Sequence, residues 1–199
     1  MSEPRVAGLL LAAGGGRRYG MPKALVELDG RLFVESAARV LREGGCAPVI
    51  VVLGAGADEV RAKADLTDCL VVENPLWTTG MGSSLRAGLA ALQEVAAEAD
   101  LAAVAVLPVD VPGVTSAAVR RVGAPAGPSA LVRATYAGLP GHPVLIGREH
   151  WSGVYESATG DVGARDYLRR NPVSDIPCED IATGLDVDRP QDLPGARRS

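Results

Sequence analysis

The chain has 199 residues, with 20 Lys and Arg against 24 Asp and Glu, a formal net charge of −4. This length suits a single domain over residues 1–199, and the 47% hydrophobic and 22% charged residues exclude wholesale disorder. The acidic balance lacks the basic footprint of a nucleic-acid binder, and no apolar run reaches the ~18 residues of a membrane span.

Val6–Leu11 is a continuous apolar run of strand length. Glu3 offsets Arg5 ahead of it, and the run flows into a charged glycine loop, so it reads as a first strand and not as a signal peptide. Gly14–Lys23 is that loop. Phe33–Glu43 carries apolar residues at helical spacing and is stopped by Gly44-Gly45. Pro48–Leu53 predicts a buried strand, Ala57–Ala64 a helix and Cys69–Val72 a third strand. Ser83–Ala97 predicts a long helix with Leu85, Leu89 and Leu92 on one face and Ser83 or Ser84 as N-cap. Leu101–Leu107 is a fourth apolar strand. After Asp110 the rhythm changes. Ser129–Thr135 and Pro143–Ile146 predict two strands around a glycine-rich turn, and Val162–Arg170 a late helix. Continuous Val- and Leu-rich strands alternating with helices predict an α/β fold with a mainly parallel sheet covered on both faces.

Ligands of such sheets bind beyond the carboxyl ends of the strands. This directs attention to 12–23, 74–84 and 108–113. The first segment holds Gly14, Gly15, Gly16 and Gly20, four of the 24 glycines, together with Arg17, Arg18 and Lys23. Glycine permits close backbone approach, successive N–H groups cradle phosphate oxygens, and the cations bind phosphate. The loop fits neither a Walker motif, since Lys23 is followed by Ala24, nor the G-x-G-x-x-G fingerprint, since Tyr19 takes its last place. Asp110, at the end of the fourth strand, is placed to hold a metal or to start a turn before Pro112. Asp186 and Asp188 alternate, so an extended chain puts them on one face. The cysteines, Cys46, Cys69 and Cys178, are odd in number and lack a Cys-x-x-Cys pair, which points to free thiols in a cytoplasmic protein.

The run LAAGGGRRYGMPK resembles the LAAG-x-x-x-R-x-G-x-x-K signature of the nucleotidyltransferases, and in particular the MobA-like molybdenum-cofactor cytidylyltransferases. ENPLWTTGMGSSLRAGL, LPVDVPG, GHPV, GDVGAR and LDVDRPQDL extend the resemblance over most of the chain. It implies a three-layer α/β/α Rossmann-like nucleotidyltransferase fold and a Mg²⁺-dependent transfer of a nucleoside monophosphate onto a phosphorylated acceptor such as molybdopterin, with release of pyrophosphate. It implies catalytic roles for Arg18, Lys23 and Asp110, and metal binding by Asp110 with Asp186, Asp188 being the alternative. Nucleotide binding falls to Leu11, Ala12, Ala13, Gly14, Gly15, Gly16, Arg18, Lys23, Asn74, Gly80, Gly82 and Ser83, with Trp77 closing the pocket or sitting at its rim. Acceptor binding falls to His142, Asp161 and Arg165, although the last two on one helix would also make an i,i+4 ion pair. Ala12-Ala13 matches relatives that accept CTP. A molybdoenzyme is an implied partner. The whole chain also resembles bacterial nicotine blue oxidoreductases, which keeps a redox role as the alternative, beside a non-catalytic cofactor-binding role and transfer to a sugar phosphate.

Overall fold

The computed structural model describes residues 4–195. Its first strand, β1 (Arg5–Ala12), lies inside the sheet between β4 (Val49–Leu53) and β6 (Leu101–Pro108), both parallel to it. β5 (Leu70–Glu73) extends the parallel half beyond β4. On the other side β8 (Leu139–Gly147) runs antiparallel to β6, β7 (Leu131–Tyr136) returns antiparallel to β8, and β9 (Ser174–Pro177) closes the edge parallel to β7. The order in the seven-stranded sheet is β5-β4-β1-β6-β8-β7-β9. A two-stranded ribbon, β2 (Glu27–Leu28) with β3 (Arg31–Leu32), stands apart.

Alternation along the strands builds a separate core on each face. Leu10 and Ala12 of β1 join α1 (Phe33–Glu43), α2 (Ala57–Lys63) and α4 (Ser116–Gly123) through Phe33, Leu41, Val60 and Val119. Leu9 and Leu11 point the other way, onto α3 (Met81–Ala99), α5 (Trp151–Ser157) and α6 (Arg165–Arg170) through Leu85, Leu89, Leu92, Trp151 and Leu168. Each fully buried leucine removes enough apolar surface to contribute about 1.5–3 kcal/mol. The result is the three-layer, mostly parallel mixed sheet that the sequence predicts.

Local details differ. The long helix begins at Met81 with Gly80 before it, so neither serine caps it. The third strand is displaced by one residue, to Leu70–Glu73. α4, α5 and β9 have no counterpart in the prediction, because each is eight residues or fewer and carries too few apolar positions to show a period. The late helix starts only at Arg165. Asp161 therefore lies in the turn before it, and the i,i+4 ion pair does not form among the described residues. The Leu185–Asp188 stretch is outside the sheet; the Val187 amide donates to the Asp110 carbonyl at 2.8 Å.

Candidate active site

The loop after β1 folds back at Gly16, whose φ of +57° is left-handed. The amides of Tyr19 and Gly20 both donate to its carbonyl, at 2.9 and 2.8 Å. Among the described residues, the amides of Gly14, Gly15, Gly16, Arg17 and Arg18 donate to no protein acceptor. Five consecutive N–H groups at the carboxyl end of a parallel strand are thus left to water, which a bound anion can replace.

This loop lines a cleft of about 430 Å³ together with Leu11, Ala13, Arg18, Lys23, the 77–81 turn, Ser84, Asp110, Asp161 and Asp188. Lys23 crosses it. Its Nζ lies 2.7 Å from Asp110 Oδ2 and 2.6 Å from Asp188 Oδ1, and its side chain is only 14% exposed. Arg18 reaches the other Asp188 oxygen at 3.3 Å from a far more open position. Burial alone would lower the Lys23 ammonium, but its hydrogen bonds to Asp110 and Asp188 outweigh burial and hold it above its ordinary value. The Lys23 hydrogen bond likewise pulls Asp188 down.

Asp186 differs. It makes no ion pair among the described residues, and burial together with the charges of Asp110 and Asp188 pushes its carboxyl up. Asp188 is the carboxylate that meets Lys23, while Asp186 faces the neighbouring cavity. A folded-state value above 3.8 means that ionising Asp186 costs stability as pH rises through it. Asp186→Asn is expected to raise the Tm of the metal-free protein at pH 7 by about 2 °C. The gain should fade below pH 3.8, where the wild-type carboxyl is also neutral in both states. Thermal melts across pH measure this, and a lower Tm for the variant at pH 7 refutes it.

Behind the cleft wall lies a second layer. Asn74 is 3% exposed. Its Nδ2 donates to Ser83 Oγ and Ser84 Oγ at 2.8 and 3.0 Å, and its Oδ1 accepts from the Leu76 amide at 3.0 Å. Ser83 Oγ in turn lies within hydrogen-bond distance of the Leu76 and Gly80 carbonyls, and the Gly82 amide donates to Gly160. Asn74, Gly82 and Ser83 thus build the wall, whereas Gly80 lines the cleft itself. Ala12 packs into the core beneath it. Trp77 lines the cleft and packs its ring against Gly15 and Gly54, a rim position that fixes the height of the glycine loop. Asn74→Ala removes three hydrogen bonds from a buried turn, at a cost of about 2–3 kcal/mol, and is expected to lower Tm by roughly 5–10 °C. An unchanged Tm in calorimetry contradicts this.

A second cavity, about 500 Å³, adjoins the first and shares Leu11, Met81, Pro108, Asp110 and Asp161 with it. His142 and, from a later segment, Asp161 and Arg165 all line it. His142 Nδ1 is buried and has no hydrogen-bond partner among the described residues. Burial depresses its pKa, so the ring is neutral at pH 7. The cavity also holds Arg133 and Arg169, which motif matching misses; the i+4 spacing of Arg169 from Arg165 is the one sequence signal that points to it. Tyr136 secures this side. Its hydroxyl donates to the His142 carbonyl at 2.7 Å, and its ring leaves no room for a Cβ at Gly141 or Gly184.

No group of three or more His, Cys, Asp or Glu among the described residues stands assembled for a metal. Asp110 and Asp186 still suit Mg²⁺, which is bound by one or two carboxylates plus substrate phosphates. Asp110 shares Lys23 with Asp188 and keeps its Oδ1 without an ion-pair partner, Asp188 has both oxygens engaged by Lys23 and Arg18, and Asp186 has no ion-pair partner among the described residues.

Fold and site together define an α/β domain with a glycine-rich, cation-lined cleft at the carboxyl end of its sheet and a second cavity beside it. The chain belongs to the family described as MobA-like NTP transferase domain, which matches residues 8–175, and it is a nucleotidyltransferase of that family. It is 40% identical over 195 residues to the nicotine blue oxidoreductase of Paenarthrobacter nicotinovorans, covering 93% of each chain. It is 37% identical over 113 residues to a probable molybdenum cofactor guanylyltransferase of Opitutus terrae, covering 56% of this chain and 51% of that one. A crystal structure of Rv0371C from Mycobacterium tuberculosis in complex with manganese superposes with a TM-score of 0.70 at 26% identity, covering 95% of this chain and 92% of the other. No helix among the described residues is long and apolar enough to cross a membrane.

Proposed function

We propose that the protein transfers a nucleoside monophosphate, from CTP, to a phosphorylated small-molecule acceptor of the molybdopterin kind and releases pyrophosphate. The observation that carries this reading is the row of five amides without protein acceptors, Gly14–Arg18, in residues that line one cleft with Lys23 and Asp110. The amides bind phosphate oxygens, and Arg18 and Lys23 offset the charge that builds on the departing pyrophosphate. An acceptor phosphate oxygen in the second cavity forms a bond to the α-phosphorus as the bond to the β-phosphate oxygen breaks. No covalent intermediate is needed, and the work of the protein is to align the two substrates. Mg²⁺, held by Asp110 and Asp186, would supply Lewis-acid charge neutralisation of the phosphates. A manganese complex of a structurally similar protein supports a divalent cation here. His142, Asp161 and Arg165 would hold the acceptor. Preference for CTP rests on the Ala12-Ala13 resemblance. Free thiols at Cys46, Cys69 and Cys178 fit the cytoplasm.

A thermal-shift and pyrophosphate-release panel of four NTPs with Mg²⁺, with and without molybdopterin, tests the reading. Stabilisation by CTP, and pyrophosphate release only with the acceptor, are expected; binding of none of the four refutes it.

A second reading is favoured by the 40% identity to a nicotine blue oxidoreductase. In that reading the Gly14–Arg18 loop, which lacks the dinucleotide fingerprint, would bind the pyrophosphate of a nicotinamide dinucleotide, and the adjoining cavity would take the dye. Oxidation of NADH or NADPH by such a dye, with no pyrophosphate released from any NTP, would decide for it.

A further inference from the structure

The second cavity separates its charges. Two of its carboxylates, Asp110 and Asp161, are shared with the nucleotide cleft, and the third, Asp186, is close enough to feel the charges of Asp110 and Lys23, so all three mark the junction where transfer would occur. Its arginines, Arg133, Arg165 and Arg169, line only the second cavity. Between them the floor is apolar, from Val144 and Ile146 on β8.

The arginines are not equivalent. Arg133 donates from Nε and Nη2 to Asp175 Oδ1, at 2.9 and 2.7 Å, so its charge is matched. Arg165 makes no ion pair among the described residues, and Arg169 touches only Asp166, at 3.4 Å on the surface. A contact of that kind holds little. One turn apart on α6, the two exposed guanidiniums line one cavity without a close carboxylate partner inside it among the described residues. Planar guanidiniums in this arrangement suit a carboxylate or phosphate. His142 stands on the same cavity wall.

We infer that the acceptor is bifunctional: one end carries the oxygen that reacts at the Asp110 junction, an apolar body lies over β8, and a second anionic group is bound by Arg165 and Arg169. This rests on the transferase reading and narrows the class of acceptor. Monoanionic phosphates with an uncharged tail would be poor occupants.

The test uses the protein with Mg²⁺ and α,β-methylene CTP, titrated with phenyl phosphate and with 4-carboxyphenyl phosphate and followed by ¹H–¹⁵N spectra. The carboxylate-bearing probe is expected to bind about tenfold more tightly, one charge-assisted contact's worth, and to shift the Arg165 and Arg169 side-chain resonances. In Arg169→Gln that advantage should disappear while phenyl phosphate binds as before; in Arg165→Gln, at a residue already assigned to the acceptor, both probes should weaken and the carboxylate-bearing one more. Equal affinities in the wild type, an advantage that survives both substitutions, or binding of neither probe overturns the proposal. Failure of the nucleotide analogue to shift the Gly14–Arg18 amides counts separately, against the transferase reading; repeating the two-probe comparison without nucleotide still reads the arginines.

Discussion

Lys23→Met is expected to lower kcat/KM for nucleotidyl transfer by about 10³-fold, at the upper end of what loss of one fixed charge-stabilising donor costs. Lys23 is the one cation in the cleft that is mostly enclosed; Arg18 is far more exposed, so solvent screens it and it cannot substitute. The substitution also leaves Asp110 and Asp188 facing each other without the ammonium that lies 2.7 and 2.6 Å from them. That loss should cost about 2 kcal/mol in the metal-free protein. Divalent cation should then restore more stability to Lys23→Met than it adds to the wild type, because it would neutralise carboxylates that the wild type already neutralises. Melting curves with and without Mg²⁺, beside pyrophosphate release, measure both effects. A variant retaining a tenth of wild-type activity excludes the role assigned to Lys23.

The pH dependence of this ion pair follows from its two shifts. Lys23 is held above 10.5, so its contribution is complete below that pH and is lost as pH rises through the folded-state value. Asp188 is held below 3.8, so its contribution is present above that pH and is lost as pH falls through the folded-state value. The pair is therefore intact across the neutral range, and pH alone does not release Lys23.

Gly16→Ala is the second large effect expected. At φ +57° a side chain costs about 1–2 kcal/mol in strain. A Cβ there would also collide with the Met21 carbonyl oxygen, which is backbone and cannot rotate away. The loop has to move, and the Gly14–Arg18 amides move with it. Misplacement by about 1 Å costs on the order of 10²-fold in rate. The expected result is a Tm lower by roughly 3–8 °C and loss of the stabilisation by nucleotide. Gly14→Ala is the control for stability, since a Cβ at Gly14 meets nothing within 4 Å. Equal Tm values for the two variants would show that the Gly16 turn does not govern the loop.

The parallel half of the sheet was legible because β1, β4 and β6 are buried on both faces, and such strands must be continuously apolar. α3 was legible from its leucines, but its start was not. Ser83 and Ser84 look like caps, yet Asn74 engages both, and the helix begins two residues before the first of them. A hydrogen bond across nine residues leaves no periodic trace. The short elements α4, α5 and β9 owe their form to the sheet they cover or extend, and their own sequences say little.

The site divides in the same way. The amino-acid sequence by itself determined the glycine-rich loop, because glycines and cations that are neighbours along the chain are neighbours in space. It also named Asp110, His142, Asp161 and Arg165, each from a local motif. Only the tertiary structure decided which carboxylate meets Lys23. Asp186 and Asp188 are two residues apart, and the Val187–Asp110 hydrogen bond sets which of them turns toward the lysine. Only the fold could set Arg169 and Arg133 beside His142 in one cavity. Contacts between residues far apart in sequence depend on the register of strands and the packing of helices, and these are set by the whole core.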